Sequence, residues 1–114
     1  MRAPVRRGTL CDESEIVNFF CKLLPPRPTF AQDMTPDEQA LMQQHAMYWH
    51  EWIGKGHVVV FGFVADPAGA FGMGVVEFDG EAEVRAFTQD DPTIRAAAGF
   101  RFEVHPMPLG ATTP

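Results

Sequence analysis

Apolar and polar positions along the chain follow two periods, and their order sketches a fold. Residues 16–24 alternate: Val17, Phe19, Cys21 and Leu23 make an apolar face, and Asn18, Phe20, Lys22 and Leu24 a mixed one. That period of two predicts a first strand. Pro25-Pro26-Arg27-Pro28 ends it, since prolines favour stiff, extended chain and cannot donate to a ladder. Residues 29–34 then lead to a stretch of helical period at 35–54. Thr35 supplies a hydroxyl at the N-cap, Pro36 stands at N1 and Glu38 at N3, a capping box with acid where the helix dipole favours it. Gly54-Lys55-Gly56 offers a glycine for a left-handed end. Turned by about 100° per residue, Leu41, His45, Tyr48, Trp49 and Trp52 share one face, with Met42 and Ile53 at its edge. Gln43, Gln44, Met47, His50 and Glu51 fall opposite.

Residues 57–64 are nearly all apolar and read as a middle strand that needs cover on both faces. Asp66-Pro67-Ala68-Gly69 is turn chemistry and predicts a hairpin into a returning strand at 71–78. Gly72 and Gly74 lie on one face of that strand, where a neighbour can approach closely. Residues 80–88 suit a short second helix through Ala82, Val84, Ala86 and Phe87. Gln89-Asp90-Asp91-Pro92 breaks it, because the residue before a proline avoids helical angles. Another helical turn fits 93–98. Phe100, Phe102 and Val104 then alternate with Arg101, Glu103 and His105 in a last strand, closed by Pro106 and Pro108.

The order is βαββαβ, which places the chain in the α+β class with a four-stranded sheet. One domain is expected at 16–107, between a disordered tail at 1–15 and a C-terminal tail at 108–114. A translation start nearer Val17 fits the same pattern. Two helices cover only one face of such a sheet. The other face would carry Phe20, Leu24 and half of the apolar strand, a patch too large for a soluble monomer. A homodimer with two sheets face to face is therefore expected.

Composition narrows the picture. At 114 residues the chain is one domain, and a hydrophobic share of 46% with 10 Phe argues against global disorder. The formal net charge is -6 and no Lys/Arg run offers a counterion-release surface, so nucleic acid is excluded as the expected partner. No apolar run is long enough to span a bilayer, and the first residues lack the apolar core of a secretory signal. The two cysteines, Cys11 and Cys21, suit a reducing compartment. A cytoplasmic protein is expected.

His45, in the middle of the apolar helix face, is the first candidate for chemistry. An imidazole moves protons in either direction. The competing reading is a core histidine bonded to backbone and wedged among Tyr48, Trp49 and Trp52. Arg27, held by prolines, can pair a substrate carboxylate or phenolate; it can equally be an ordinary surface arginine. Tyr48, Trp49 and Trp52 can stack on an aromatic ligand or simply fill the core. Asp66 is expected to shape its turn, and His50, His57 and His105 to face solvent. His45 and His50 diverge and do not make a helical zinc pair. Gly72-Met73-Gly74 lacks the rest of a dinucleotide fingerprint. The lone serine, Ser14, lies in the tail, so no nucleophile elbow exists. No metal or cofactor is demanded, although His45 as an axial haem ligand stays open.

Several texts resemble the YCII-related family. They are His45-Ala46-Met47-Tyr48-Trp49 leading to Gly56, Gly62-Phe63-Val64 at a strand end, Gln89-Asp90-Asp91-Pro92, and Phe102-Glu103-Val104-His105-Pro106-Met107. Pro25-Pro26-Arg27-Pro28-Thr29-Phe30 resembles one branch of it. The resemblance implies a ferredoxin-like fold and a dimeric α/β-barrel assembly. It also implies a histidine on the long helix and an aspartate as a candidate acid/base pair, matched here by His45 and by Asp91 before Pro92. One branch resembles dehydrochlorinases acting on chlorinated hydroxyquinones. The chain departs from the family by doubling the acid, Asp90-Asp91, which leaves open which carboxylate faces the histidine. It also carries Gly62-Phe63-Val64 where many members have Gly-Pro.

The leading expectation is a cofactor-independent enzyme for elimination or isomerisation of a small aromatic or anionic metabolite. His45 would be the acid/base and Asp91 (or Asp90) its orienting partner, with Arg27, Tyr48 and Trp49 as substrate contacts. The alternative is a homodimer that binds a small ligand without converting it.

Overall fold

The computed structural model of the chain describes residues 17–108. Its elements run β1 (Asn18–Leu24), α1 (Phe30–Asp33), α2 (Pro36–Gly54), β2 (Val58–Val64), β3 (Phe71–Glu77), α3 (Glu81–Gln89), α4 (Pro92–Arg95) and β4 (Arg101–Pro106). The sheet is four-stranded in the order β2-β3-β1-β4, antiparallel throughout. This is the ferredoxin-like arrangement. The tails expected at 1–15 and 108–114 fall, Pro108 apart, outside the described residues.

Local chemistry explains the main elements. The capping box at α2 is complete: the Glu38 amide donates to Thr35 Oγ at 3.1 Å, and the Thr35 amide donates to Glu38 Oε1 at 2.9 Å. The helix is released at Gly56, whose φ of 85° a side chain would resist. The hairpin turn closes on Asp66, whose Oδ1 accepts from the Ala68 amide at 2.9 Å while its carbonyl accepts from the Gly69 amide. A one-turn helix, α1, stands where only a rigid connection was expected, started by amide bonds from Gln32 and Asp33 to the Thr29 carbonyl.

Register settles which side chains share a face. Phe19 pairs with Val76, Cys21 with Gly74 and Leu23 with Gly72, while Cys21 also pairs with Val104 and Leu23 with Phe102. These positions meet the helices. The core joins Phe19, Cys21, Trp49, Val76, Phe78, Val84 and Phe87, and a smaller cluster of Leu23, Phe30 and Phe100 lies toward α1. Trp49 reaches the sheet because Gly74 makes room: a Cβ there would lie 2.5 Å from Trp49 Cη2. The indole then stacks on Phe61 with centroids 5.0 Å apart and planes at 15°.

Two expectations are corrected. The apolar strand read as a middle one is β2, at the sheet edge, and within a single chain Val59, Val60, Phe63 and Val64 are exposed. A register shift between Val58 and Val60 bends it there, as a bulge at an edge does. His57, expected to face solvent, is half-buried; its Nδ1 lies 2.7 Å from the Glu77 carbonyl and its ring stacks on Phe78 at 4.4 Å. Asp91 and Pro92 end α3 as expected and start α4 as well, with the Thr93 amide donating to Asp91 Oδ1.

Candidate functional site

Asp91 is the anchor of the site. It precedes a proline and takes the N-cap of α4, so its side chain turns back toward the first amides of that helix. Oδ1 accepts from the Thr93 amide and from the Thr93 hydroxyl, both at 2.8 Å. Oδ2 accepts from Trp49 Nε1 at 2.7 Å. Both oxygens face His45 Nδ1, at 3.0 and 2.8 Å. The carboxyl is 0% exposed. Burial alone would push such a group toward neutrality, but the hydrogen bond and charge of His45 and the two bonds from Thr93 outweigh it and hold Asp91 below the ordinary carboxylate range. It stays ionised inside the protein.

His45 comes from the buried face of α2, one turn before Trp49, so both reach the same carboxylate from one helix. Its ring packs beside Phe61, with centroids 5.6 Å apart. An ionised carboxylate on Nδ1 calls for a proton there, which leaves a lone pair on Nε2 in the neutral ring. Nε2 has no hydrogen-bond partner among the described residues, and His45 lines a cavity of about 390 Å³. That cavity lies between the sheet and α2, under a roof made by Phe30, Ala31 and Met34. Met42, Phe61, Phe63 and Phe100 supply much of the rest, and His45 is the one ionisable side chain in the lining. An apolar hollow with a single convergent polar group is the usual form of a small-ligand site.

The doubled acid is resolved by position. Asp91 faces the histidine, whereas Asp90 is exposed and lies 3.3 Å from Arg95. The other expected contacts lie elsewhere. Tyr48 donates to the Phe87 carbonyl at 2.7 Å and stacks on Phe87, and burial, helped by the charges of Asp90 and Asp91, pushes its phenol up to about 12. Trp49 is 1% exposed and belongs to the core. Arg27 is outside the cavity lining and is bound into the fold. Its Nε donates to Asp33 Oδ1 at 2.8 Å, its Nη1 to Glu38 Oε2 at 2.9 Å, and its Nη2 to Glu38 Oε1 at 2.8 Å and to the Asp33 carbonyl at 2.9 Å. In return Glu38 is drawn down to about 2 by Arg27 and the Thr35 amide. Arg27 thus ties α1, the roof, to the start of α2.

Some of the site escaped sequence reasoning. Thr93 was not singled out, nor were the roof residues Ala31 and Met34. A signal existed for Thr93: Asp91-Pro92 repeats the N-cap and N1 pattern seen at Thr35-Pro36, and a cap side chain must meet an amide two or three residues on. Cys21 is buried in the core, its thiol pushed up to about 12 by burial, and offers no reactive group. Among the described residues no three His, Cys, Asp or Glu side chains gather as a metal cluster, and no helix is long and apolar enough to cross a membrane.

Comparison with curated proteins gives no match. A family model described as the YCII-related domain matches residues 19–108, most of the chain and all of the sheet but its first residue. On that match, and with the ferredoxin-like sheet beneath it, the chain belongs to the YCII-related family.

Proposed function

We propose that the protein is a cofactor-independent acid/base enzyme whose working group is His45 Nε2. One observation carries this reading: the buried Asp91 carboxylate holds His45 Nδ1 at 2.8 Å, and the imidazole it holds lines an apolar cavity. Asp91 fixes the tautomer and steadies the imidazolium that forms, as carboxylates do in other His/Asp pairs. In an elimination, Nε2 takes a proton from carbon, the freed electron pair becomes a double bond, and the leaving group departs from the adjacent carbon with its bonding pair. The proton then passes to solvent. In an isomerisation the same proton returns to a different carbon of the ligand. Phe30, Met34 and Phe61 give the place of transfer an apolar wall, beside which the charges of the pair are screened less than in bulk water.

Assembly as a homodimer belongs to the same reading. The sheet face away from the helices carries Phe20, Leu24, Met73, Val75, Val60 and Val64, and no helix of the described chain covers it. A second copy laid sheet to sheet would bury that surface.

The test is a panel of uncharged aryl β-halo ketones and β,γ-unsaturated ketones followed by absorbance. Turnover by the native protein is expected, falling by about a hundredfold or more in His45→Gln, the usual worth of a positioned acid/base group. Turnover untouched by that substitution contradicts the assignment. The second reading, a binding dimer without chemistry, is favoured by one feature, the scarcity of polar groups in the lining. It predicts tight binding by the native protein and no conversion anywhere on the panel.

A further inference from the structure

We infer that the cavity selects a compact, uncharged hydrophobic ring carrying one weakly acidic proton, and that it turns away the carboxylated form of the same ring. This rests on the reading of the cavity as the binding site, and it narrows the expectation of an aromatic or anionic ligand to the first of the two.

Phe30, Met34, Met42, Phe61, Phe63 and Phe100 bring rings and thioethers, and His45 alone brings an ionisable group. Behind His45 stands Asp91, so the pair carries a net charge of minus one with a neutral imidazole and none with a protonated one. At neither stage does the cavity present net positive charge. Arg27, the cation on the roof segment, has its guanidinium committed to Asp33 and Glu38 through four hydrogen bonds. Lys22 lies 4.4 Å over the Phe71 ring and is not part of the lining. A carboxylate entering here would lose its water and meet no opposite charge, which is among the costliest transfers a protein site can impose. A neutral ring loses little, and a single O–H finds an acceptor in Nε2. Phe63, in the lining and 72% exposed, adds a further ring for it to meet.

A matched pair of probes tests this with the full chain: 2-naphthol and 2-naphthoate, titrated by calorimetry near neutral pH, where the first is neutral and the second ionised. The expected result is binding of 2-naphthol at least tenfold tighter than 2-naphthoate, abolished when the hollow is filled by Ala70→Trp and, independently, by Ala31→Trp. Equal or tighter binding of 2-naphthoate overturns the inference. So does failure of both probes to bind, or 2-naphthol binding that survives both filling substitutions. The result is separable from the catalytic reading. A protein that binds 2-naphthol selectively and converts nothing keeps this ligand class and loses the enzyme. One whose turnover depends on His45 but which prefers 2-naphthoate does the reverse.

Discussion

Asp91→Asn keeps the outline of the side chain and removes its charge and one acceptor. Natively, Oδ1 serves the Thr93 amide and hydroxyl at 2.8 Å, and Oδ2 serves His45 Nδ1 at 2.8 Å and Trp49 Nε1 at 2.7 Å. An asparagine can turn its oxygen toward one pair only. With the oxygen on Thr93, its NH2 meets Trp49 Nε1–H, donor against donor, where both side chains are buried from solvent. With the oxygen on Trp49, its NH2 meets the Thr93 amide instead. Either way one buried donor is stranded, at about 1–3 kcal/mol. The surviving bonds lose charge assistance, which roughly halves them. Together this comes to about 3 kcal/mol, a large share of the ~5–15 kcal/mol that holds a domain. Urea unfolding followed by tryptophan fluorescence measures it, at one protein concentration so that any assembly contributes equally. A loss under about 1 kcal/mol at unchanged slope would refute the claim that Asp91 organises this region.

Other predictions follow the same geometry. Gly74→Ala drives a methyl into the Trp49 ring and is expected to destabilise by about 1–3 kcal/mol, or to prevent folding, while Gly62→Ala, with open space at its Cβ, costs little; thermal melts compare them. Acid should unfold the protein in a defined window. Glu38, Asp33 and Asp91 all have folded values below their ordinary 3.8 to 4.5, so their contribution is whole above about 4.5 and is lost as pH falls through the folded values, which for Glu38 is about 2. Salt should erode the part due to the half-exposed Arg27 network and spare the buried Asp91; a stability curve flat down to pH 2 contradicts this. For the assembly, light scattering should find a dimer at micromolar concentration, and Val75→Lys on the bare sheet face should yield monomers. A native protein that is monomeric there removes the dimer.

Elements whose local chemistry is self-contained are legible in the sequence. Thr35, Pro36 and Glu38 announce a helix start by themselves, and Gly74 on one strand face announced a close approach before Trp49 could be placed against it. Alternation fixed the faces of β1 and β4. What stayed hidden was non-local. The sheet-edge position of β2 depends on strand order, which its apolar text does not encode. α1 is held by Arg27 reaching forward to Asp33 and Glu38, a contact that a four-residue helix does not advertise. The choice between Asp90 and Asp91 is written in the capping pattern of Asp91-Pro92, but the same text also reads as a helix stop. Tyr48 and Trp49 share a face with His45, yet their rings turn to α3 and Asp91 rather than to the cavity, because face membership gives direction only to within a quadrant.

The proposed function depends on a carboxylate that keeps the proton on Nδ1 of His45 and so leaves the Nε2 lone pair to accept one. Long-range proton–nitrogen correlation spectra, with the His45 signal identified by its loss in His45→Gln, read this tautomer directly. The neutral ring should carry its proton on Nδ1 in the native protein. A native ring protonated on Nε2 instead would contradict the account at its centre.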